Sequence, residues 1–305
     1  MNKAYKFRIY PNEVQKTKIE KTFNCVRFIY NKMLTDKIEY FNKTGRKLNN
    51  TPAQYKKEFP WLKEVDSLAL ANAQLHLNAA YESFFRNPEH GFPKFKSRKR
   101  CKKSYTTNCV YGNIAIRDGR IKLPKIGFIK MKQHREIPVD YQLKSVTVSR
   151  NAKGNYYASV LFEYETEITA IQPESSIELA YSAEGLYVDG KGREVNYPDY
   201  IRRTSEKLKQ EKQRLSHMKY LSNHREKQRI RVMQLRQKLD NQITDFLHKQ
   251  SRQIANAYDR VCIKESGDIV KGDFGWGTFK ILLKYKLSDK GKLFVMNMLY
   301  SRQAV

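Results

Sequence analysis

The sequence predicts an α+β protein of more than one domain: a small β-barrel interrupted by a helical block, followed by an α/β sheet with an inserted pair of helices. Three observations predict this fold. Apolar residues alternate with polar ones at the start of the chain and again after residue 100. They recur at helical spacing between these stretches, and short strands frame two long helices in the last third. With 305 residues, 40% of them apolar, the chain is long enough for two or three cores.

The first part begins with alternation over residues 3–10, which predicts a half-buried strand that Pro11 ends. Asn12 is a suitable N-cap for a long helix, and a second helical block runs from Leu62 to Phe85, with Leu75 and Phe85 among the residues expected to be buried. Short alternating segments after residue 100, separated by turns such as Asp118-Gly119, predict five further strands.

The second part follows a polar connection over residues 166–176, which predicts a domain boundary. The elements predicted beyond it are a hairpin over 177–188, two helices over 201–257 broken at Ser222, a strand over 261–263, a helix over 279–285 and a strand over 293–295. Strands on both sides of a helical pair indicate an α/β sheet.

The charge of the chain indicates its class of partner. It has 59 Lys and Arg against 31 Asp and Glu, a net charge of +28, which calls for a polyanion. The absence of a long apolar stretch predicts a soluble, cytoplasmic protein with no membrane partner. Four scattered cysteines without a C-x-x-C pair, and the absence of H-E-x-x-H and phosphate-loop motifs, predict neither a bound metal nor another cofactor.

Two segments concentrate the positive charge. The first, here called the basic segment (residues 94–103), contains seven cations and no acid, is followed by Tyr105, and favours contact with nucleic-acid phosphates over a solvated loop. Its predicted contacts are Lys94, Lys96, Arg98, Lys99, Arg100, Lys102, Lys103 and Tyr105. In the helical pair, thirteen Lys and Arg stand against three Glu between residues 202 and 238, and the predicted contacts there are Arg202, Arg203, Lys207 and Arg214.

Six motifs in order resemble those of the TnpB family, the transposon-encoded RNA-guided nucleases from which type V CRISPR effectors descend. They are Tyr5-Lys6-Phe7-Arg8-Ile9-Tyr10-Pro11-Asn12, Arg27-Phe28-Ile29-Tyr30-Asn31, Gly91-Phe92-Pro93-Lys94-Phe95-Lys96, Leu123-Pro124-Lys125-Ile126-Gly127, Asp245-Phe246-Leu247-His248-Lys249 and Trp276-Gly277. The resemblance implies a wedge β-barrel (residues 1–10 and 101–170), a helical recognition lobe (11–100) and a RuvC-like, RNase H-like α/β domain (174–305), here truncated and lacking the zinc ribbon.

The carboxylates that such a nuclease uses to hold two divalent ions are altered. The family's first Asp corresponds to Glu178, and its Glu corresponds to Lys264, whose expected partner is Glu178 on the adjacent strand. Relative to the family pattern, we also expect the segment with the third carboxylate to be missing. We therefore expect a degenerate site at Glu178 and Lys264 with no catalytic residues, no metal and no nuclease activity.

The leading hypothesis is an RNA-guided, nuclease-dead repressor similar to the TnpB-like nuclease-dead repressors. It would occupy a guide-matched promoter next to a short flanking motif, as a monomer bound to guide RNA and double-stranded target DNA, near the bacterial nucleoid. The residues predicted to read the flanking motif are Asn50, Thr51, Ser67, Asn72, Gln74, Tyr105, Thr107 and Asn108. Since Asn and Gln pair with adenine, a motif with A·T pairs is expected, unless Asn72 and Gln74 only cap or solvate a helix.

Three other functions stay open. A divergent active nuclease would use Glu178, Glu265 and either Asp268 or Asp273. A decayed transposon remnant would keep residual RNA affinity, although the intact apolar patterns argue against decay. A sequence-specific repressor without RNA would need a helix-turn-helix, which the sequence does not show.

Overall fold

The computed structural model describes residues 1–98, 101–165, 171–266 and 275–299. The chain divides into two compact units, Met1–Glu165 and Thr166–Val305. The first contains β1 (Asn2–Tyr10), α1 (Glu13–Thr44), α2 (Tyr55–Glu58), α3 (Ser67–Arg86), β2 (Lys103–Asn108), β3 (Ala115–Arg117), β4 (Arg120–Leu123), β5 (Gly127–Lys132), β6 (Gln142–Arg150) and β7 (Tyr156–Glu163). The second contains β8 (Ser176–Tyr181), β9 (Tyr187–Asp189), β10 (Glu194–Val195), α4 (Asp199–His217), α5 (Asn223–Ala257), β11 (Arg260–Ser266), α6 (Trp276–Ser288) and β12 (Leu293–Leu299).

The first strand lies at the centre of the first unit's sheet. The strand order is β2-β6-β7-β1-β5-β4-β3, and every pairing is antiparallel. The side chains of Phe7 and Ile9 are buried while their neighbours along β1 are exposed, so the strand predicted from period-two alternation is confirmed.

The sheet differs from the predicted barrel in two respects. It has seven strands where six were predicted, since β2 was missed. The lysines just before β2 obscured an alternating pattern in which Tyr105 and Thr107 point inward. Among the described strands, β2 and β3 lie at the two ends of the order and do not pair with each other. The curled sheet is therefore open between β2 and β3, whereas a closed barrel would need these two edge strands to pair.

The helices of the first unit share one core with the sheet. Helix α1 begins at a capping box in which the Asn12 side chain accepts a hydrogen bond from Gln15 N (2.9 Å) and Gln15 Oε1 accepts one from Asn12 N (3.1 Å). Buried residues of α1 and α3 pack in the same cluster as those of the strands. The expected burial of Leu75 and Phe85 is wrong, since these side chains are 56% and 74% exposed.

The second unit is built on a five-stranded mixed sheet of order β10-β9-β8-β11-β12. Strands β8, β11 and β12 are parallel, and β9 and β10 add antiparallel strands at one edge. Helices α4 and α5 lie between β10 and β11 in the chain, and the Ser222 side chain caps α5 by accepting from Arg225 N (3.1 Å), which confirms the predicted break. In the described part of the chain, no helix has the length and apolar character needed to cross a membrane.

Gly185, in the turn between β8 and β9, has no room for a side chain. A Cβ atom there would lie 2.6 Å from the Val195 carbonyl oxygen, which is fixed backbone. We expect Gly185→Ala to lower the free energy of unfolding of the second unit by about 1–3 kcal/mol. Urea unfolding followed by Trp276 fluorescence, in a Trp61→Phe background, measures this unit alone, because the chain has two tryptophans.

The matched control is Gly190→Ala. A Cβ atom at Gly190 makes an ordinary contact, 3.5 Å from Glu178 Cβ. An equal loss of stability in both variants would show that the close approach at Gly185 is relieved by backbone movement.

Candidate nucleic-acid interface

The Asn31 side chain of α1 holds the start of the basic segment by two hydrogen bonds to the Lys96 backbone, a contact called the clasp below. Asn31 Nδ2 donates to the Lys96 carbonyl oxygen (3.1 Å), and Asn31 Oδ1 accepts from the Lys96 backbone N–H (2.8 Å). The Lys96 ammonium lies 3.8 Å from the centre of the Tyr30 ring, and burial lowers the pKa of this lysine. Two of the six family-like motifs thus bind each other, and this contact fixes where the basic segment leaves the helices.

The cations of the basic segment have different surroundings. Lys94, Arg98 and Lys102 are exposed, as expected for residues that contact phosphates. Lys103 Nζ lies 3.2 Å from Glu20 Oε2, so this charge is already paired within the protein. Two further predicted contacts, Lys99 and Arg100, lie outside the described residues.

Tyr105 is not available to nucleic acid, contrary to prediction. Its side chain is only 3% exposed, lies in the core, and has its ring centre 5.8 Å from that of Phe23. Burial raises the pKa of its phenol far above the usual range. The alternation of β2 turns this residue inward, so its role is to pack the strand against α1.

Three of the predicted flanking-motif readers, Asn50, Asn72 and Thr107, are also buried, which contradicts direct contact with DNA bases. Thr107 Oγ1 donates to the carboxylate of Asp66, the N-cap of α3, and Asn72 Nδ2 donates to the Leu68 carbonyl (2.9 Å). Asn50 Nδ2 donates to the Tyr55 hydroxyl (2.6 Å), so donors of all three side chains are used inside the protein, although Asn50 Oδ1 has no partner among the described residues.

The other predicted readers surround this buried group. Gln74 Nε2 donates to the Asn50 carbonyl (3.1 Å), and Asn108 Oδ1 lies 3.5 Å from Asn72 Nδ2. Thr51 and Ser67 are exposed, and the Ser67 hydroxyl accepts from Lys56 Nζ (2.7 Å). The structure thus brings most of these polar residues together as a network joining α3 to β2, with Thr51 and Ser67 at the surface.

In the helical pair, the predicted contacts Arg202, Arg203, Lys207 and Arg214 are all exposed on α4. The buried carboxylate of Glu211 offsets part of the local charge, with Arg231 Nη2 at 3.1 Å and Arg214 Nη1 at 3.7 Å. A hydrogen bond from Gln228 (2.5 Å), aided by these arginines, lowers the pKa of Glu211. Glu211 thereby joins α4 to α5. Of the four predicted contacts on α4, all within the described chain, only Arg214 has an ion pair with it.

Glu178 and Lys264, the residues of the predicted degenerate site, lie where β8 and β11 run side by side. Glu178 is opposite Cys262 in the register, and Lys264 is two positions further along the same face. Lys264 Nζ lies 2.6 Å from Glu178 Oε2, and the two side chains are 42% and 49% exposed. The ion pair expected from the sequence is therefore present. The side chain of Glu265, together with Asp268 and Asp273, lies outside the described residues.

Comparisons with known proteins decide the family. Two IS605 OrfB family models match the chain, a "Helix-turn-helix domain" over residues 1–46 and a "Probable transposase" over residues 152–267. A "Putative RNA-guided DNA endonuclease" of Streptomyces pristinaespiralis is 26% identical, over 97% of this chain and 77% of its own length. The chain belongs to the TnpB family of IS605 OrfB proteins.

Two further likenesses accompany this assignment. "Virulence protein VsdF" of Salmonella dublin is 33% identical over 32% of this chain and 95% of its own length. A protein solved in the "Cas12f1-sgRNA-target DNA complex" covers 98% of this chain and 89% of its own, with a TM-score of 0.57 at 10% identity. At this identity the likeness shows a shared fold.

The bounds of the two TnpB-family models can be placed on the structure. The region matched by the helix-turn-helix model is folded as one strand and one 32-residue helix, β1 and α1, without a second helix. The transposase model begins in the turn before β7 and ends just after β11, so it includes both Glu178 and Lys264.

The sequence-based choice of site residues missed Asn31, whose side chain holds the start of the basic segment. Asn31 and Arg27 are the two ends of the Arg27-Phe28-Ile29-Tyr30-Asn31 motif, which was used only as a family signature. Polar residues at both ends of an otherwise apolar helical stretch were the signal, because such residues in a core-facing run usually have a specific partner.

We expect Asn31→Ala to release the basic segment. It removes both hydrogen bonds to the Lys96 backbone, so the free energy of unfolding should fall by about 1–3 kcal/mol, and trypsin should cut after Lys94 or Lys96 faster than in the unmodified chain. Mass spectrometry of timed digests measures the rates. Asn24→Ala, on the same helix at an exposed position, is the control; equal cleavage rates in both variants would contradict the clasp.

Proposed function

We propose that this TnpB-family protein binds DNA under the guidance of RNA, does not cleave it, and represses transcription by occupying a guide-matched promoter target. The observation that carries the proposal is the ion pair between Glu178 and Lys264 at the junction of β8 and β11. It places a cation at the site where a nuclease of this family would need carboxylates.

The chemistry of the donor set supports binding without cleavage. A two-metal nuclease holds each divalent ion by carboxylate oxygens. Here Glu178 Oε2 already accepts from an ammonium 2.6 Å away. Two like unit charges 4 Å apart repel by about 4 kcal/mol at an effective dielectric constant of 20, and a divalent ion doubles that repulsion. The described residues therefore do not fit a pair of divalent ions.

The partners follow from charge and family. The names of the compared proteins specify an RNA-guided DNA endonuclease and a complex with guide RNA and target DNA. We infer the same two classes of partner for this chain, whose charge of +28 suits two polyanions. Base pairing would select the target, so the protein would need only to bind backbones and a short flanking motif.

Reading of the flanking motif is assigned to the surface next to the buried polar network. Thr51 and Ser67 are exposed there, while Asn50, Asn72 and Thr107 are buried and support the surrounding backbone. Pairing of Asn72 with adenine does not belong to this proposal, because its amide is buried and donates to Leu68.

The protein purified with its natural flanking sequence expressed in cis should retain a discrete RNA species and bind DNA that matches that RNA. With Mg²⁺ present it should give no cleavage product above that of RNA-free protein, since Lys264 occupies the metal side of Glu178. RNA sequencing, filter binding and gel analysis of labelled DNA measure these three properties. Guide-dependent cleavage in Mg²⁺ would overturn the proposal, and absence of a discrete RNA would overturn its RNA-guided part.

Two variants with the same charge change test whether Lys264 prevents metal binding at Glu178. Lys264→Glu removes the ammonium and adds a carboxylate beside Glu178, so calorimetric titration should detect new Mn²⁺ binding. Lys284→Glu makes the same charge change at an exposed position of α6 and should not. Equal Mn²⁺ binding by both variants would show that Lys264 does not control the site.

The exposed cations of the basic segment should carry salt-dependent affinity. Neutralising Lys94, Arg98 and Lys102 to Gln should flatten the slope of log affinity against log salt by up to about 2–3, because each lost phosphate contact contributes about 0.7–0.9. Fluorescence anisotropy with RNA and with duplex DNA, measured separately, gives the slopes.

The control for this prediction makes the same change in net charge. Lys122, Lys125 and Lys130 are exposed on and between β4 and β5, and their replacement by Gln removes the same three charges elsewhere in the first unit. A slope that changes equally in both triple variants would mean that the basic segment has no special role.

A further inference from the structure

A cleft in the first unit concentrates positive charge around a small volume. It has a volume of about 200 Å³ and lies between α1, α3, the basic segment and the start of β2. The lining residues that carry its chemistry are Arg27, His76, Lys96, Arg98, Lys102 and Lys103.

The charge of this cleft is not balanced by its walls. None of the described residues that line it is acidic. Lys103 is paired with Glu20, and Lys96 lies over the Tyr30 ring, whereas Arg98 and Lys102 are exposed. Cations gathered around one concave space repel each other unless an anion occupies it, so the arrangement favours a bound anion.

Arg27 provides an independent sign of a missing acceptor. Its Nε is buried and has no hydrogen-bond partner among the residues that the structure describes. Buried donors are nearly always paired, and leaving a charged donor unpaired is costly, so an oxygen from outside the chain would complete the site. A guanidinium matches the two free oxygens of a phosphate by donating two parallel hydrogen bonds.

His76 and Lys96 are two bases of the cleft wall whose pKa values are both lowered. Burial and the neighbouring Lys96 lower the pKa of His76, and burial lowers that of Lys96. At neutral pH the imidazole is therefore uncharged, and it adds one donor and one acceptor to the wall without adding repulsion.

We propose that this cleft binds one phosphodiester group of a nucleic-acid backbone, with Arg27 as the principal contact and Arg98 and Lys102 as further contacts. The inference rests on the proposed function for the kind of polyanion, and it adds a defined site to the otherwise diffuse attraction of the basic segment. Because Asn31 and Tyr30 hold Lys96 from the same helix turn that carries Arg27, the cleft is formed before the nucleic acid arrives.

The first test separates shape from charge at Arg27. Arg27→Lys keeps the charge but loses the paired hydrogen bonds, so affinity for a mixed-sequence single-stranded RNA or the matching DNA duplex should fall about tenfold or more. Arg46→Gln, an exposed position after the end of the same helix, removes a full charge and should weaken binding by only about threefold or less. Equal losses would reduce Arg27 to a general charge and overturn the site; thermal unfolding of both variants verifies that they fold.

The second test uses a thiol that lines the cleft. Cys101 is half-buried in its wall, whereas Cys109 is half-buried near Ile114, and Cys25 and Cys262 are buried. Saturating RNA or DNA should slow alkylation of Cys101 by iodoacetamide and leave Cys109 unchanged. Arg27→Gln should abolish the protection at the same probe concentration. The probe that protects, RNA or DNA, identifies the source of the phosphate.

The outcomes distinguish this site from the proposed function. Saturation by both probes without protection of Cys101 overturns the cleft and leaves RNA guidance intact. Protection of Cys101 in a protein that copurifies with no discrete RNA supports the cleft and overturns RNA guidance.

Discussion

The first unit depends on the central position of β1 in its sheet. This strand pairs with β7 over eight residue positions on one side and with β5 on the other. Since Pro11 and the Asn12 cap follow at once, α1 must begin at the end of the innermost strand and pack on the sheet. The middle of α1, with its cleft-lining and clasping residues, is therefore positioned by the most deeply embedded strand of the unit.

Several acidic residues of the described chain are structural partners for particular cations. Glu20 pairs with Lys103 and with Arg150 (3.0 Å), and Glu211 pairs with arginines on both helices of the pair. The pairs of Glu20 with Lys103 and Arg150, and of Glu211 with Arg231, each fix a contact between elements, whereas the Glu211–Arg214 pair lies within α4. A fold with 31 acids and 59 bases can in this way be well ordered and still present a positive surface.

Period and register predicted much of the fold and one feature of the site. Alternation identified β1 and the hairpins, and the spacing of apolar residues identified both long helices. The pairing of Glu178 with Lys264 was predictable, because neighbouring parallel strands bring matched faces together. The strand β2 was hidden by the charges beside it, and Leu75 and Phe85 have helical spacing but lie on the exposed side of α3.

The polar residues were the hardest to interpret from the sequence alone. Asn50, Asn72 and Thr107 have the chemistry of base readers, yet their partners are backbone and side-chain groups that the fold brings near. The clasp between Asn31 and Lys96 joins residues 65 positions apart, and a sequence pattern carries no information on such a distance. Whether a polar side chain faces solvent or a buried partner is decided by tertiary structure, which local periodicity does not specify.

The ion pair at Glu178 also changes what the second unit requires from its surroundings. Carboxylates gathered at a strand junction repel one another until a cation enters, so the folded state of such a domain gains stability in proportion to the supply of that cation. Here the counter-charge for Glu178 is the Lys264 side chain on the adjacent strand, which is part of the chain itself. Among the described residues, the charge of Glu178 is thus balanced as soon as β8 and β11 pair, without a counter-ion drawn from solution.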